Sequence, residues 1–225
     1  MTRNIQPAIA LIKRFEGIAD GDPSTVNLDP YRCPAGYWTI GWGHVVRDAR
    51  GRMLKGRARG ADARAIFPRG ITYLWAERLL FDDVAAFAAA LNRVLATDGT
   101  DLRLNDNQYC ALLSFVFNVG ISAFERSTLL QRLREGDFAD VPRQLKRWTR
   151  GGGRVLGGLK RRREAEAKLW LTQVSVDEIA REKPCPHEAE AKLDHWEATL
   201  GAAPDATGDA PSEAVVRLSR GEEWS

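Results

Sequence analysis

The 225-residue sequence is most distinctive between residues 31 and 44, where it runs Tyr31-Arg32-Cys33-Pro34-Ala35-Gly36-Tyr37-Trp38-Thr39-Ile40-Gly41-Trp42-Gly43-His44. Aromatic and β-branched residues are interleaved there with glycines, a composition typical of short strands joined by tight turns. The segment therefore predicts a small β-hairpin or sheet, and not a helix, in the N-terminal part of the chain.

One helix and two loops are predicted around this segment. Apolar residues recur at helical spacing before Gly17, which predicts an amphipathic helix over about 5–16. Residues 18–30 are rich in Gly, Asp, Pro, Ser and Asn, and we expect them to form a loop. The basic, glycine-containing stretch 47–70 is also expected to be a surface loop.

Helical patterns dominate after residue 70. Thr72 is expected to cap a helix that covers 76–95, and Asn105 or Asp106 is expected to cap the next one. The run 111–117 is apolar on nearly every side, which predicts a central, fully buried helix. Further helices are expected over 127–135, 138–148 and 159–171. Together these elements predict an α+β fold, with a small N-terminal β-hairpin lobe on a mainly helical body.

Charge is unevenly distributed along the chain. The net charge of +3 combines −7 over residues 173–225 with +10 over residues 1–172. A basic body suits a polyanionic partner such as nucleic acid, an anionic membrane or a bacterial envelope polymer, although a basic surface can also lack a specific partner. The run 160–163 (Lys-Arg-Arg-Arg) raises the nucleic-acid possibility, but Glu164 and Glu166 dilute it and no nucleic-acid-binding motif accompanies it. We therefore expect no nucleic-acid partner.

Several classes of protein and site are disfavoured by composition. No apolar run reaches the roughly 18–20 residues of a transmembrane helix, so stable membrane insertion is not expected. The N-terminus lacks the features of a secretory signal. The three cysteines are scattered and odd in number, which disfavours a disulfide framework and favours synthesis in a reducing cytoplasm. The histidines are scattered too, and we expect no metal site and no cofactor.

Specific spacing links the first helix to the glycine-rich segment. Glu16 lies within Phe-Glu-Gly at the end of the helix, and Cys33 is followed by Thr39 after five intervening residues. This arrangement strongly resembles the active site of phage-type lysozymes, the endolysins of glycoside hydrolase family 24. Two later blocks agree: 107–120 looks like the family's central helix and its cleft-facing end, and 147–166 like its C-terminal signature.

The resemblance covers about residues 5–171 and implies a lysozyme-like catalytic domain over 1–172. Its β-lobe would cover about 18–70 and its helical lobe about 71–172. Residues 173–225 fall outside the resemblance. They form an acidic, polar C-terminal extension that we expect to be partly helical or disordered.

The resemblance also implies catalytic roles. Glu16 would be the general acid, because desolvation at an apolar helix end favours the protonated carboxyl group that donates to a glycosidic oxygen. Thr39 would orient the attacking water, with Cys33 beside it either as a base or as a positioning group. The gap between Glu16 and Cys33 is longer than the family usually has, and 47–70 also looks longer than is common. A carboxylate from the first insertion therefore stays an alternative to Cys33, and the candidates are Asp20, Asp22 and Asp29.

Other residues receive roles by resemblance. His44 is expected to pair with Asp83 and tie the β-lobe to the helical body. The expected substrate contacts are Asn118, Arg147 and Arg161. Three tryptophans could stack on sugars, although a buried core position is the commoner fate of this residue; they are Trp38, Trp42 and Trp148.

The expected function is hydrolysis of the β-1,4 bond between N-acetylmuramic acid and N-acetylglucosamine in peptidoglycan, for cell lysis. A lytic transglycosylase that cuts the same bond without water is the near alternative, and an inactive wall-binding module is another. The protein is expected to be a monomer in the host cytoplasm at synthesis. It would reach the periplasm or cell wall after the membrane is breached, and the resemblance implies a holin for that step.

Overall fold

A computed structural model describes residues 3–97 and 102–172 as a helical body that carries a small antiparallel sheet. The helices are α1 (Gln6–Glu16), α2 (Gly60–Ile66), α3 (Tyr73–Ala96), α4 (Asp106–Val119), α5 (Ile121–Glu125), α6 (Thr128–Arg134), α7 (Val141–Lys146) and α8 (Gly157–Leu171). The strands are β1 (Tyr31–Arg32), β2 (Trp38–Ile40), β3 (His44–Val45), β4 (Arg150–Gly151) and β5 (Arg154–Val155). The expected α+β fold class is confirmed.

The three-stranded sheet is formed by the glycine-rich segment, as predicted. Its order is β1-β2-β3, and Thr39 in the central strand pairs with Tyr31 on one side and Val45 on the other. A tight turn connects β1 to β2, since the amide of Gly36 donates to the carbonyl of Cys33 at 2.8 Å. Pairing on both sides fixes the position of Thr39 and the direction of its side chain.

Helix α4 is the central element of the core, as its apolar run predicts. Its residues from Tyr109 to Val116 are buried, and it packs against α1, α3, α5 and α8. Asn105 is the N-cap, and it forms a capping box with Gln108 that satisfies donors at the helix start. Thr72 caps α3 in the expected way, with its side chain accepting from the amide of Trp75 at 3.2 Å.

The expectation of a plain surface loop over 47–70 is wrong. The stretch contains a 3₁₀ turn (Arg57–Arg59) and helix α2, and Leu54 and Ala63 are fully buried. Frequent arginines and glycines obscure the helical spacing of so short an element, which explains the error.

Three other elements also differ from the sequence expectations. The helix expected over 138–148 is shorter, because α7 begins at Val141 next to Pro142. Helix α5 and the β4–β5 hairpin were not predicted at all.

In the described ranges no helix is both long enough and apolar enough to cross a bilayer. The expectations for 173–225 lie outside the described residues.

Gly41 allows the sheet to approach the helical body closely. Its φ is +60°, and an added Cβ would lie 2.9 Å from the Cβ of Ala76 on α3. An edge-to-face contact between Trp42 and Tyr73 holds the same junction, and Lys13 of α1 lies over the ring of Trp42 while it pairs with Glu77 of α3. A residue with a side chain at position 41 must therefore move β2 away from α3.

We predict that Gly41→Ala costs more stability than Gly43→Ala. Both glycines have positive φ, so both variants lose about 1 kcal/mol of unfolding free energy to backbone strain. An added Cβ at Gly43 meets nothing within 4 Å, whereas the one at Gly41 clashes with Ala76 and should cost a further ~1–2 kcal/mol. Urea unfolding measures both values. Equal losses would contradict the close packing of β2 on α3.

Candidate active site

Glu16 is the last residue of α1 and points its carboxylate at α8. Its Oε1 lies 2.5 Å from Nη1 of Arg162, and 28% of its side chain is exposed. The helix ends there because Gly17 takes a positive φ of 64°. The surroundings differ from the apolar pocket expected from the sequence, since a guanidinium group is the nearest charged partner of Glu16.

Arg162 belongs to a buried group of ionised side chains on one face of α8. We call Arg162, Arg163 and Glu166 the α8 charge cluster; all three are 3% exposed or less. Besides its contact with Glu16, Arg162 donates from Nη2 to the carbonyl of Ser114 at 3.2 Å and from Nε to Oε1 of Glu166 at 3.3 Å. Its guanidinium is thereby anchored to α1, α4 and α8 at once.

Glu166 is surrounded by donors. The Ser114 hydroxyl donates to its Oε1 at 2.8 Å, and Arg163 Nη2 donates to the same oxygen at 3.2 Å. Arg163 Nε lies 3.0 Å from Oε2 of Glu166. The two atoms form an ion pair but not a hydrogen bond. Burial raises the pKa of Glu166 above its ordinary value, and Arg163, Arg162 and Ser114 oppose that rise. Burial likewise lowers the pKa of Arg163 to about 10, with Glu166 opposing the shift.

Tyr31 is the β1 residue that pairs with Thr39 in the sheet. Burial raises its pKa, a hydrogen bond with the Thr39 side chain opposes the rise, and the electrostatic effects of Cys33 and Glu16 add to it. The Thr39 hydroxyl also donates to the carbonyl of Tyr31 at 3.3 Å, and Thr39 is 3% exposed. Tyr31 therefore contacts Thr39 and is close enough to Glu16 and Cys33 to be affected by their charge.

The alternative carboxylates of the first insertion are engaged within their own loop. Asp20 Oδ1 accepts from the amides of Asp22 and Asp29 at 3.0 and 2.9 Å. Asp22 Oδ1 accepts from both the amide and the hydroxyl of Ser24, and Asp29 Oδ2 accepts from the Thr25 hydroxyl. These bonds give the three carboxylates a role in shaping residues 20–29. Cys33 stays the better candidate beside Thr39.

The remaining residues named from the sequence fall into two groups. His44 Nδ1 lies 2.9 Å from Asp83 Oδ2, a contact that joins β3 to α3. Asn118 accepts from Arg163 Nη2 at 2.8 Å at the end of α4. Arg147 is exposed and donates to Gln144 at 2.9 Å, and Arg161 is exposed on the first turns of α8. Substrate binding by Asn118, Arg147 and Arg161 stays a prediction.

The tryptophans considered for sugar stacking contribute to the core. Trp38 and Trp42 are 8% and 5% exposed, and Trp38 donates to the carbonyl of Gly56 at 2.9 Å. Trp148 packs edge-on against Phe115, with ring centroids 5.3 Å apart. Trp38 and Trp42 therefore offer no open ring face for a sugar, whereas Trp148 is partly buried against the core.

The basic run over 160–163 is not a continuous surface patch. Arg162 and Arg163 point inward into the α8 charge cluster, and only Lys160 and Arg161 are exposed. This inward orientation removes the sequence feature that favoured nucleic acid. Among the described residues there is also no group of three or more His, Cys, Asp or Glu side chains arranged to hold a metal ion.

Comparisons with known proteins identify the family to which this chain belongs. The profile of the family described as Phage lysozyme matches residues 14–166, a span that contains Glu16, the whole sheet and the α8 charge cluster. The chain belongs to the phage lysozyme family. It is 34% identical to an endolysin of Bacillus phage B103 over 181 residues, which cover 80% of this chain and 58% of that protein. The chain thus spans less than two thirds of that relative.

Solved structures of family members have the same fold. An endolysin from Escherichia coli O157:H7 phage FAHEc1 superposes with a TM-score of 0.57 at 29% identity, covering 77% of this chain and 96% of that one. The muramidase domain of SpmX from Asticaccaulis excentricus gives a TM-score of 0.50 at 30% identity, covering 76% and 100%. The lysozyme-like architecture expected from the sequence is therefore confirmed.

Five residues of the site were missed by sequence analysis, namely Tyr31, Ser114, Arg162, Arg163 and Glu166. Arg162 and Glu166 are four residues apart and Arg163 and Glu166 three, spacings that place opposite charges together on one helix face. That signal was present in the sequence. The spacing alone does not predict burial, because charged runs on helices are usually exposed.

We predict that Glu16→Gln lowers the pKa of Tyr31. The negative charge of Glu16 is one of the causes that raise this pKa, so its removal should make ionisation of the phenol easier. The measurement is a pH titration of ¹³C-labelled tyrosines by NMR. Tyr109 is the internal control, because burial also raises its pKa but the charges acting on it come from Arg3 and Cys110. A Tyr31 pKa that stays fixed, or that moves together with that of Tyr109, would contradict the placement of Tyr31 beside Glu16.

Proposed function

We propose that this chain is a peptidoglycan hydrolase of the muramidase type, with Glu16 as its general acid. The observation that carries the proposal is the antiparallel bridge between Ala19 and Gly41, which joins the chain just after Glu16 to the end of the strand that carries Thr39. The helix end and the central strand thereby supply an acid and a hydroxyl to one region, as glycoside hydrolysis requires. Similarity to endolysins and to a muramidase domain supports the same substrate.

The acid step would use the oxygen of Glu16 that Arg162 does not contact. Arg162 is paired with Oε1, and the proton for the glycosidic oxygen is assigned to Oε2. Because Arg162 is buried and bonded to Ser114 and Glu166, it holds the carboxyl group in one orientation. A fixed acid of this kind lowers the barrier, since the leaving oxygen is protonated as positive charge develops on the sugar ring.

The water step would use Thr39. The Thr39 hydroxyl donates its proton to the carbonyl of Tyr31, so a lone pair of its oxygen can accept a hydrogen bond from water. Thr39 is almost fully buried, which suits contact with a single water better than contact with a sugar. Cys33, half-buried at the β1–β2 turn, would contact the same water and complete its orientation.

The substrate partner and the place of action follow from this activity. Peptidoglycan carries the β-1,4 bond between N-acetylmuramic acid and N-acetylglucosamine, and the +10 charge of residues 1–172 favours binding to an anionic wall. The enzyme would act in the periplasm or cell wall, after a membrane breach of the kind that a holin makes. A monomer is sufficient, because the proposed acid and water-binding groups come from one chain.

We predict that Glu16→Gln abolishes clearing of cell-wall suspensions while the domain stays folded. The amide has nearly the same shape as the carboxyl group but cannot donate an acidic proton, and loss of general acid catalysis costs about 10²–10⁴-fold in rate. Turbidity clearing measures activity, and thermal unfolding measures the fold.

Glu125→Gln is the matched control. Glu125 also ends a helix but is exposed on α5, so its amide variant should clear walls at the wild-type rate. Activity of the Glu16 variant within about tenfold of wild type, with normal stability, would remove Glu16 from the acid role.

We predict that Cys33→Ser keeps appreciable activity. A hydroxyl of similar size can hold the same water, and positioning does not require an ionised group. Cys33→Asp should also be active, since an aspartate would serve either as a positioning group or as a base. Turbidity clearing of the two variants and of Cys33→Ala provides the measurement.

Two patterns of activity would change the role of Cys33. An enzyme that is inactive with Ser but active with Asp would make residue 33 a base instead of a positioning group. Wild-type activity of Cys33→Ala would exclude Cys33 and return attention to the carboxylates of the first insertion. Those carboxylates are Asp20, Asp22 and Asp29.

A further inference from the structure

We propose that Glu166 is a positioning residue for Glu16, and that it acts by holding Arg162 in place and by offsetting the positive charge that Arg162 presents to the acid. The inference rests on the proposed function, because it concerns how the acid of that function keeps its proton. Glu166 itself is 0% exposed and cannot reach a bound glycan. Its influence must pass through Arg162.

The contact chain is short and continuous. Glu166 Oε1 accepts from Arg162 Nε at 3.3 Å, and Nη1 of the same guanidinium contacts Glu16 Oε1 at 2.5 Å. Nη2 of Arg162 donates to the carbonyl of Ser114 at 3.2 Å. A planar guanidinium bonded at three corners has no freedom to rotate, so the position of Glu166 helps to set the position of Glu16.

The polar and charged groups around Glu16 come from three elements besides α1. Arg162 and Arg163 approach from α8 together with Glu166, Tyr31 approaches from β1, and α4 contributes only neutral groups, the carbonyl and hydroxyl of Ser114. On α1 itself, Lys13 is paired with Glu77 and Arg14 lies over the ring of Phe15. Two buried guanidinium groups therefore face two carboxylates, Glu16 and Glu166.

The balance between these positive and negative charges affects whether the Glu16 carboxyl group can hold its proton. An uncompensated arginine beside Glu16 favours the carboxylate, which cannot donate a proton. Glu166 opposes that effect because it places a negative charge against both Arg162 and Arg163. The general acid is the protonated form, so Glu166 should extend activity to higher pH. Removal of the Glu166 charge should therefore shift the alkaline limb of the pH–rate profile to lower pH.

The variant that tests this directly is Glu166→Gln, assayed for clearing of purified peptidoglycan from pH 4 to 9. We expect the alkaline limb to move to lower pH by about half a unit, less than the shift of roughly 1–3 units that a charge within about 4–6 Å produces, because Arg162 lies between Glu166 and Glu16. Glu164→Gln is the matched control. It removes the same charge from an exposed position on the same helix, and its limb should stay within about 0.2 units of wild type. A limb that does not move in folded Glu166→Gln would overturn the proposal.

Glu166→Asp provides a second test if the amide variant fails to fold. The shorter side chain retains the charge but withdraws the carboxylate from Arg162. We therefore expect the alkaline limb to stay at the wild-type pH while kcat falls several-fold. Wild-type kcat in this variant would overturn the positioning role. Glu16→Gln in the same assay separates the two claims. If Glu16→Gln clears walls normally, the proposed acid is wrong. If Glu16→Gln is inactive but the alkaline limb of Glu166→Gln does not shift, only the role of Glu166 is refuted.

Discussion

The ion pair between Glu16 and Arg162 is the interaction on which the arrangement of this protein depends. It joins the end of α1 to the middle of α8, two elements that are 146 residues apart in sequence. A buried arginine without partners would be too costly to keep inside a protein. Arg162 avoids that cost through contacts with Glu16, Ser114 and Glu166, and these contacts require α1, α4 and α8 to be in register. The same bonds that stabilise the helical body therefore aim the proposed acid.

The sheet contributes the second half of the site through a different constraint. Thr39 is paired on both sides within the sheet, and Gly41 brings the end of that strand within contact distance of α3. His44 and Asp83 add a second connection between the sheet and α3. The position of the hydroxyl relative to Glu16 thus follows from backbone pairing and close packing. A small change at the junction between sheet and α3 should alter the proposed chemistry as well as stability.

Local sequence signals were sufficient for the elements that carry the proposed chemistry. The end of α1 at Gly17, the short strands on either side of Pro34, and the caps at Thr72 and Asn105 all follow from local backbone preferences, and the structure has each of them. The charge cluster on α8 could not be predicted in the same way. Whether an arginine is exposed or buried is decided by what packs above it, and in this fold α1 and α4 cover Arg162 and Arg163. Helix α2 was missed for a related reason, since Ala63 is buried by tertiary packing that its polar neighbours conceal. The catalytic roles of Glu16, Cys33 and Thr39 remain predictions.

The fate of the water molecule tests the account most directly. Purified peptidoglycan would be digested with the protein in water enriched in the heavy oxygen isotope, and the released fragments analysed by mass spectrometry. Hydrolysis with Glu16 as acid and a water held by Thr39 predicts reducing N-acetylmuramic acid ends that carry one heavy oxygen at C1. Unlabelled 1,6-anhydro ends would show that the bond is cut without water and would contradict the role given to Thr39. Labelled N-acetylglucosamine ends would place the cut at the other glycosidic bond and contradict the muramidase assignment.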